Sequence, residues 1–162
     1  MFSEMCEADR FWQVQRRVRG CSTLQWLNLS NCVLLKNLFG LQNCSSLESI
    51  ILYHCTNLVS VSALAGCGSL WKIDASYCHF LTDISALASC SLLQEVDLWK
   101  CISLEDVSPL AACSLLRTLD LSHCTSLKKI ELDNCTSLVN IRAVGCLIKH
   151  VSMPIGCKMQ LN

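Results

Sequence analysis

Apolar side chains recur along this chain in a fixed order, which is clearest between Cys90 and Cys113. In the first half of that segment apolar and polar positions alternate, as in a half-buried strand. In the second half an apolar residue returns at every third position, which matches the three residues per turn of a 3₁₀ helix. The apolar positions are Leu93, Val96, Leu98, Leu104, Val107 and Leu110. One such coil can bury its apolar side only against another coil, so the pattern predicts a stacked solenoid.

The repeat length is given by two columns of cysteines, each with a step of 23 residues. One column is Cys21, Cys44, Cys67, Cys90 and Cys113, and the other is Cys32, Cys55, Cys78, Cys101 and Cys124. After Cys124 the step falls to 11, through Cys135, Cys146 and Cys157. We therefore predict a solenoid over residues 21–162, of about six coils. Its last part consists of 11-residue half-repeats with more strand-like character on the return side.

Residues 1–20 do not fit the repeat. Ser3 is suited to cap a helix, acidic residues follow it, and Arg16, Arg17 and Arg19 lie near the end that Gly20 would close. The sequence predicts an N-terminal capping helix that covers the first coil. Two alternatives stay open, namely the tail of a larger domain and a partner-binding helix.

The full pattern, L-x-x-L-x-L-x-x-C-x-x-L-x-x-V-x-x-L, resembles the leucine-rich repeat, with Cys where the commonest version has Asn. L-R-T-L-D-L-S-H-C at 116–124 and D-V-S-P-L at 106–110 are similar to repeats of kinetoplastid leucine-rich-repeat proteins. L-N-L-S-N-C at 27–32 is similar to repeats of plant immune receptors. The resemblance implies an α/β right-handed solenoid, with a parallel β-sheet on the concave face and short 3₁₀ turns on the convex face. It also implies a protein-recognition scaffold that is not an enzyme, with no active-site residue to carry over.

Charge limits the kinds of partner that this chain can bind. Its 13 basic and 13 acidic residues cancel, and Lys or Arg never form more than a pair such as Arg16-Arg17. A phosphate backbone needs a dense cationic surface, so we expect no nucleic-acid partner. No apolar run reaches about 18 residues, so we expect no membrane span.

Fourteen cysteines would suit a disulfide scaffold in a short secreted chain. Here the first residues contain no apolar signal segment, and the cysteines occupy repeat positions where a small apolar side chain fits. We expect reduced thiols and an intracellular protein, cytoplasmic or nuclear. Zinc is disfavoured because no short C-x₂₋₄-C pair exists, and no cofactor is expected. The structural ladder is Cys32, Cys55, Cys78, Cys101 and Cys124.

Outward-facing strand positions carry the candidate binding residues. The predicted partner-binding set is Trp26, Tyr53, Asp74, Asp97, Trp99 and Asp120. Exposed Trp and Tyr are typical of binding hot spots, and aligned aspartates favour a partner with Lys or Arg. The alternative is that the aspartates are consensus residues on a solvated surface. Lys129 and Glu131 are expected to extend the outer rows.

The sequence thus predicts a non-enzymatic scaffold that binds a protein or peptide on its concave sheet, either a monomer or part of a larger chain. One alternative is a thiol-based redox or metal-binding protein. Another is a structural spacer that is a fragment of a larger repeat protein.

Overall fold

The computed structural model describes residues 22–161, which form a stack of short parallel strands. The strands are β1 Trp26–Asn28, β2 Ser49–Ile51, β3 Lys72–Asp74, β4 Glu95–Asp97, β5 Thr118–Asp120, β6 Lys129–Glu131, β7 Asn140–Arg142, β8 His150–Ser152 and β9 Lys158–Gln160. The capping helix predicted for residues 1–20 and the first ladder position, Cys21, lie outside the described residues.

Seven strands form one parallel sheet in the order β1-β2-β3-β4-β5-β7-β9. Its register follows the repeat, so that Ile50, Ile73 and Val96 lie directly opposite one another on β2, β3 and β4. A step of 23 residues per coil therefore converts the sequence repeat into straight rows of side chains.

The return side carries three 3₁₀ helices, Ser62–Gly66, Ser85–Ser89 and Ser108–Ala112. A side chain two residues before each helix accepts a hydrogen bond from the backbone N–H of the helix's first residue. The accepting side chains are Ser60, Asp83 and Asp106 in turn. Residues 22–161 contain no α-helix, and none of their helices could span a membrane. The predicted α/β class is therefore corrected for the described residues, which form a solenoid of β-strands and 3₁₀ helices. The reason is that apolar residues on the return side recur at every third position, which gives 3₁₀ turns.

After Cys124 the return side changes from 3₁₀ helix to strand. β6 pairs with β8 in a second parallel sheet, and β6 packs beside the third 3₁₀ helix. Each 11-residue half-repeat supplies one strand, alternately to the two sheets, which confirms the predicted strand-like character. The expectation for Lys129 and Glu131 was wrong for the same reason. They lie on β6, whereas β7 extends the outer rows of the large sheet.

The buried core runs continuously between the two sides. The cysteines from Cys44 to Cys135 lie within it, and Cys32, Cys146 and Cys157 pack against it. From Cys55 to Cys146, each ladder thiol donates to a backbone carbonyl of the preceding coil, 25 or 26 residues earlier. In the column that contains Cys55, the Sγ–O distances are 3.1 Å for Cys55, 3.3 Å for Cys78, 3.2 Å for Cys101, 3.1 Å for Cys124 and 2.9 Å for Cys146. In the column that contains Cys67, they are 3.6 Å for Cys67, 3.7 Å for Cys90, 3.4 Å for Cys113 and 3.1 Å for Cys135.

Cys157 departs from this geometry, although the sequence step of 11 reaches it. β9 follows β7 after 18 residues, since Ile141 lies opposite Met159. The shortened last coil places the Cys157 thiol 3.8 Å from the carbonyl of its own neighbour, Lys158. Cys157 thus lies outside the ladder.

A left-handed residue turns the chain after each strand of the regular coils. Its φ is 62° at Asn31, 59° at His54, 60° at Tyr77, 58° at Lys100, 62° at His123 and 71° at Gly145. The N–H of this residue donates across to the next coil, as from Tyr77 to the carbonyl of Trp99 at 2.7 Å. The turn conformation is therefore part of the stacking contact between coils.

We predict that Gly145→Ala lowers the unfolding free energy by about 1 to 2 kcal/mol. An added Cβ would strain the left-handed backbone and would lie 2.7 Å from Nδ1 of His123. Gly68→Ala is the matched control, because its Cβ would meet nothing within 4 Å. Urea unfolding of both variants measures the difference, and equal midpoints would contradict the assigned turn.

We also predict that Cys101→Ala lowers the unfolding free energy by about 1 to 3 kcal/mol. The substitution leaves a cavity in the core and removes the donor to the Ala75 carbonyl. Cys157→Ala, outside the ladder, should cost less than about 0.5 kcal/mol. If urea unfolding gives the two variants the same stability, the ladder thiols do not join the coils.

Candidate binding surface on the seven-stranded sheet

The outward side chains of β3, β4, β5, β7 and β9 line a groove with a volume of about 550 Å³. Two rows cross its floor. One contains Lys72, Glu95, Thr118, Asn140 and Lys158, and the other contains Asp74, Asp97, Asp120, Arg142 and Gln160. Every residue of these two rows is therefore polar or charged.

The six predicted binding residues lie in three places. Asp74, Asp97 and Asp120 form one row in the groove. Trp26, which is 60% exposed, lies on the edge strand β1 and packs edge-on against Trp71, with 6.3 Å between ring centroids. Tyr53 and Trp99 lie two residues beyond β2 and β4, along the border of the sheet.

Each aspartate of the row has a local structural role. The backbone N–H two residues later donates to its Oδ1, from Ser76 at 3.0 Å, Trp99 at 2.9 Å and Ser122 at 2.8 Å. Such Asx turns reverse the chain at the end of each strand. Asn28 accepts the Ser30 N–H in the same way at 2.9 Å, so the turn itself does not require a negative charge.

Ion pairs neutralise some of the charged residues of the groove but not all of them. Lys72 pairs with Glu95 at 2.7 Å, and Arg142 pairs with Asp120 at 3.3 Å. Within the part of the chain that the structure describes, neither Asp74 nor Asp97 has an ion-pair partner. Burial raises the pKa of Asp97, and the charges of Asp74 and Asp120 act in the same direction, whereas the Trp99 N–H and the charge of Arg142 oppose the rise without cancelling it.

Tyr53, Tyr77 and Trp99 form a continuous aromatic ridge beside the row of aspartates. The ring centroids are 5.5 Å apart between Tyr53 and Tyr77 and 4.7 Å apart between Tyr77 and Trp99, both edge-to-face. His54 lies 6.0 Å from Tyr77, and His123 lies 6.4 Å from Trp99. The ridge joins two predicted residues that are two coils apart.

Tyr77 is not among the binding residues predicted from the sequence. Its position has a left-handed backbone, which turns its side chain toward the neighbouring aromatic rows. The available indication was the presence of Tyr or Lys where Asn, His or Gly is preferred.

Lys100 lies over this ridge. Its Nζ is 4.7 Å from the centroid of Tyr77 and 5.1 Å from that of Trp99, and it donates to the Tyr77 hydroxyl at 3.3 Å. These distances are typical of a cation–π interaction. The ridge thus already contains its own cation.

The ladder thiols have the properties of inert core residues. Burial raises the pKa of Cys67, Cys78, Cys113 and Cys124 from 9.0 to about 12. A thiol with such a pKa stays protonated near neutral pH and is a poor nucleophile. Among residues 22–161, no cluster of three His, Cys, Asp or Glu side chains is arranged to hold a metal.

Comparison with solved structures identifies internalins of Listeria monocytogenes as similar folds. Internalin C2 is 20% identical with a TM-score of 0.61, over 84% of this chain and 64% of that one. The internalin inlF is 19% identical with a TM-score of 0.51, over 82% of this chain and 51% of that one. The chain thus spans about half to two thirds of their length. No protein-family model and no curated protein sequence matches it.

Alkaline pH should destabilise the fold. The folded state retains thiol protons that the unfolded chain loses above pH 9.0, so protein stability falls as pH rises from 9.0 toward 12. Below pH 9.0 the thiols are protonated in both states, so they should not make the stability depend on pH. Urea midpoints measured across this range test the sign. Native protein whose buried thiols ionise near pH 9.0 without losing stability would contradict the burial of the ladders.

Proposed function

We propose that this leucine-rich-repeat chain is a recognition scaffold, without enzymatic activity, that binds a protein or peptide across the groove and the aromatic ridge. The observation that carries the proposal is the ridge itself, with its 39% exposed Tyr53 beside a groove large enough for a peptide segment. Tyr and Trp supply large contact areas with few rotatable bonds, which makes them frequent hot spots.

The groove and ridge complement each other as parts of one binding surface. The ridge offers apolar contact along one border, and the floor offers charged groups that fix the orientation of a partner. Trp26 lies at the β1 end of the sheet and would extend the surface toward its first coil.

The other functions have less support. A redox or metal-binding role needs reactive or clustered thiols, whereas those of the ladder are buried and have raised pKa values. A spacer would not require an aromatic ridge that ends in an exposed Tyr53. We further propose an intracellular location, since reduced thiols in a core are typical of that compartment.

We predict that the double substitution Tyr53→Ala and Trp99→Ala weakens peptide binding by at least about tenfold, because it removes both outer members of the ridge. The ligands are peptides selected from a random library displayed on phage, with the unmodified protein as bait. Dissociation constants are then measured by fluorescence anisotropy.

Phe80→Ala is the control, because Phe80 is 59% exposed and lies outside both the groove and the ridge. It should leave the affinity unchanged. Circular dichroism verifies that all variants are folded. Selected peptides that bind the double variant as tightly as the unmodified protein would refute the assignment of this surface.

A further inference from the structure

The β3–β4 end of the groove contains two carboxylates whose charge the described residues do not pair. Asp74 and Asp97 lie directly opposite each other on β3 and β4. The cations on either side are engaged elsewhere, Lys72 with Glu95 and Arg142 with Asp120. Like charges facing each other on neighbouring strands destabilise a sheet.

Turn formation does not account for this charge. An asparagine at the same row position, Asn28, accepts the corresponding backbone N–H. Asparagine at positions 74 and 97 would therefore form the same turns without repulsion. The two negative charges are unfavourable in the free protein and would become favourable beside an added cation.

We infer that the partner is a basic peptide segment that places an arginine side chain between Asp74 and Asp97. This inference rests on the proposed function and specifies the partner chemistry. A planar guanidinium has five N–H donors and can bond two carboxylates at once, whereas a lysine is a point charge. The partner is thereby defined by charge complementarity to the groove.

The ridge determines how the rest of the arginine lies. Trp99 is two residues beyond Asp97, and its backbone N–H donates to that carboxylate. Lys100 already occupies the cation position over the Trp99 ring. The guanidinium is therefore assigned to the carboxylates, and the methylene stem of the arginine to the indole.

Charge along the groove also orients the segment. Its acidic part lies over β3 and β4, whereas Lys158, which has no ion pair with any described residue, lies on β9 at the other end. A basic group over β9 would be repelled. The arginine end of the segment thus lies over β3 and β4.

The test uses arginine-containing peptides selected as above, each synthesised also with citrulline, which keeps the shape of arginine and loses its charge. The protein variant is Asp74→Asn with Asp97→Asn, in which both Asx turns can still form. Asp106→Asn is the matched control, because Asp106 caps a turn on the return side in the same way.

We expect citrulline to weaken binding to the unmodified protein and to the Asp106→Asn control by about tenfold or more. In the double variant, the same replacement should change the affinity less than about twofold, since the carboxylates are gone. An equal loss in all three proteins would overturn the inference.

Failure of the inference can be told apart from failure of the proposed function. Peptides without Arg or Lys that lose affinity for the Tyr53→Ala, Trp99→Ala variant but not for the Asp74→Asn, Asp97→Asn variant would overturn the inference alone. Peptides that are insensitive to both double variants would overturn the two together.

Discussion

The fold depends on a buried hydrogen bond between coils, from a cysteine thiol to a backbone carbonyl one coil earlier. Cysteine suits this position because it fills a small apolar space and supplies a weak donor. Both columns use the bond, so each coil is joined to the preceding coil on the strand side and on the return side. A change of step is tolerated where the donor still reaches a carbonyl. Cys135 and Cys146 do so across 25 residues, whereas Cys157 does not.

Regular stacking also explains how a surface arises from a repeat that has no chemistry of its own. Because consecutive coils stay in register, residues that are 23 apart become neighbours on the sheet, and any bias at one repeat position becomes a row. The aspartate row is one such repeat position, whereas the ridge combines two, because Tyr53 and Trp99 share one position and Tyr77 belongs to the next. The aspartates form structural turns and also carry charge that no described residue pairs. The rings of the ridge contact one another, although the turns do not require aromatic residues.

Much of this architecture could be read from the sequence, since the cysteine step and the strand spacing are strictly local patterns. The strands β1 to β5, their register and the 3₁₀ turns follow from them. Lys129 and Glu131 were misplaced because an 11-residue step does not show which of the two sheets receives a strand. Tyr77 was missed because alternation along a strand predicts its direction only within the strand. The left-handed turn that follows redirects the side chain.

The residue types found at this left-handed position also differ between coils. Asn31, His54, His123 and Gly145 are residues that tolerate a positive φ, whereas Tyr77 and Lys100 between them are not favoured there. The backbone conformation is the same at all six positions, so the turn itself does not require Tyr or Lys. Either residue costs about 1 kcal/mol in backbone strain at this position. Part of that cost is offset by contacts that Asn or Gly could not make, from Lys100 to two rings and from Tyr77 to Tyr53 and Trp99. These contacts lie in the same coils as Asp74 and Asp97. Tyr77 and Lys100, which the turn does not favour, therefore lie in the same two coils as Asp74 and Asp97, which have no ion-pair partner among the described residues.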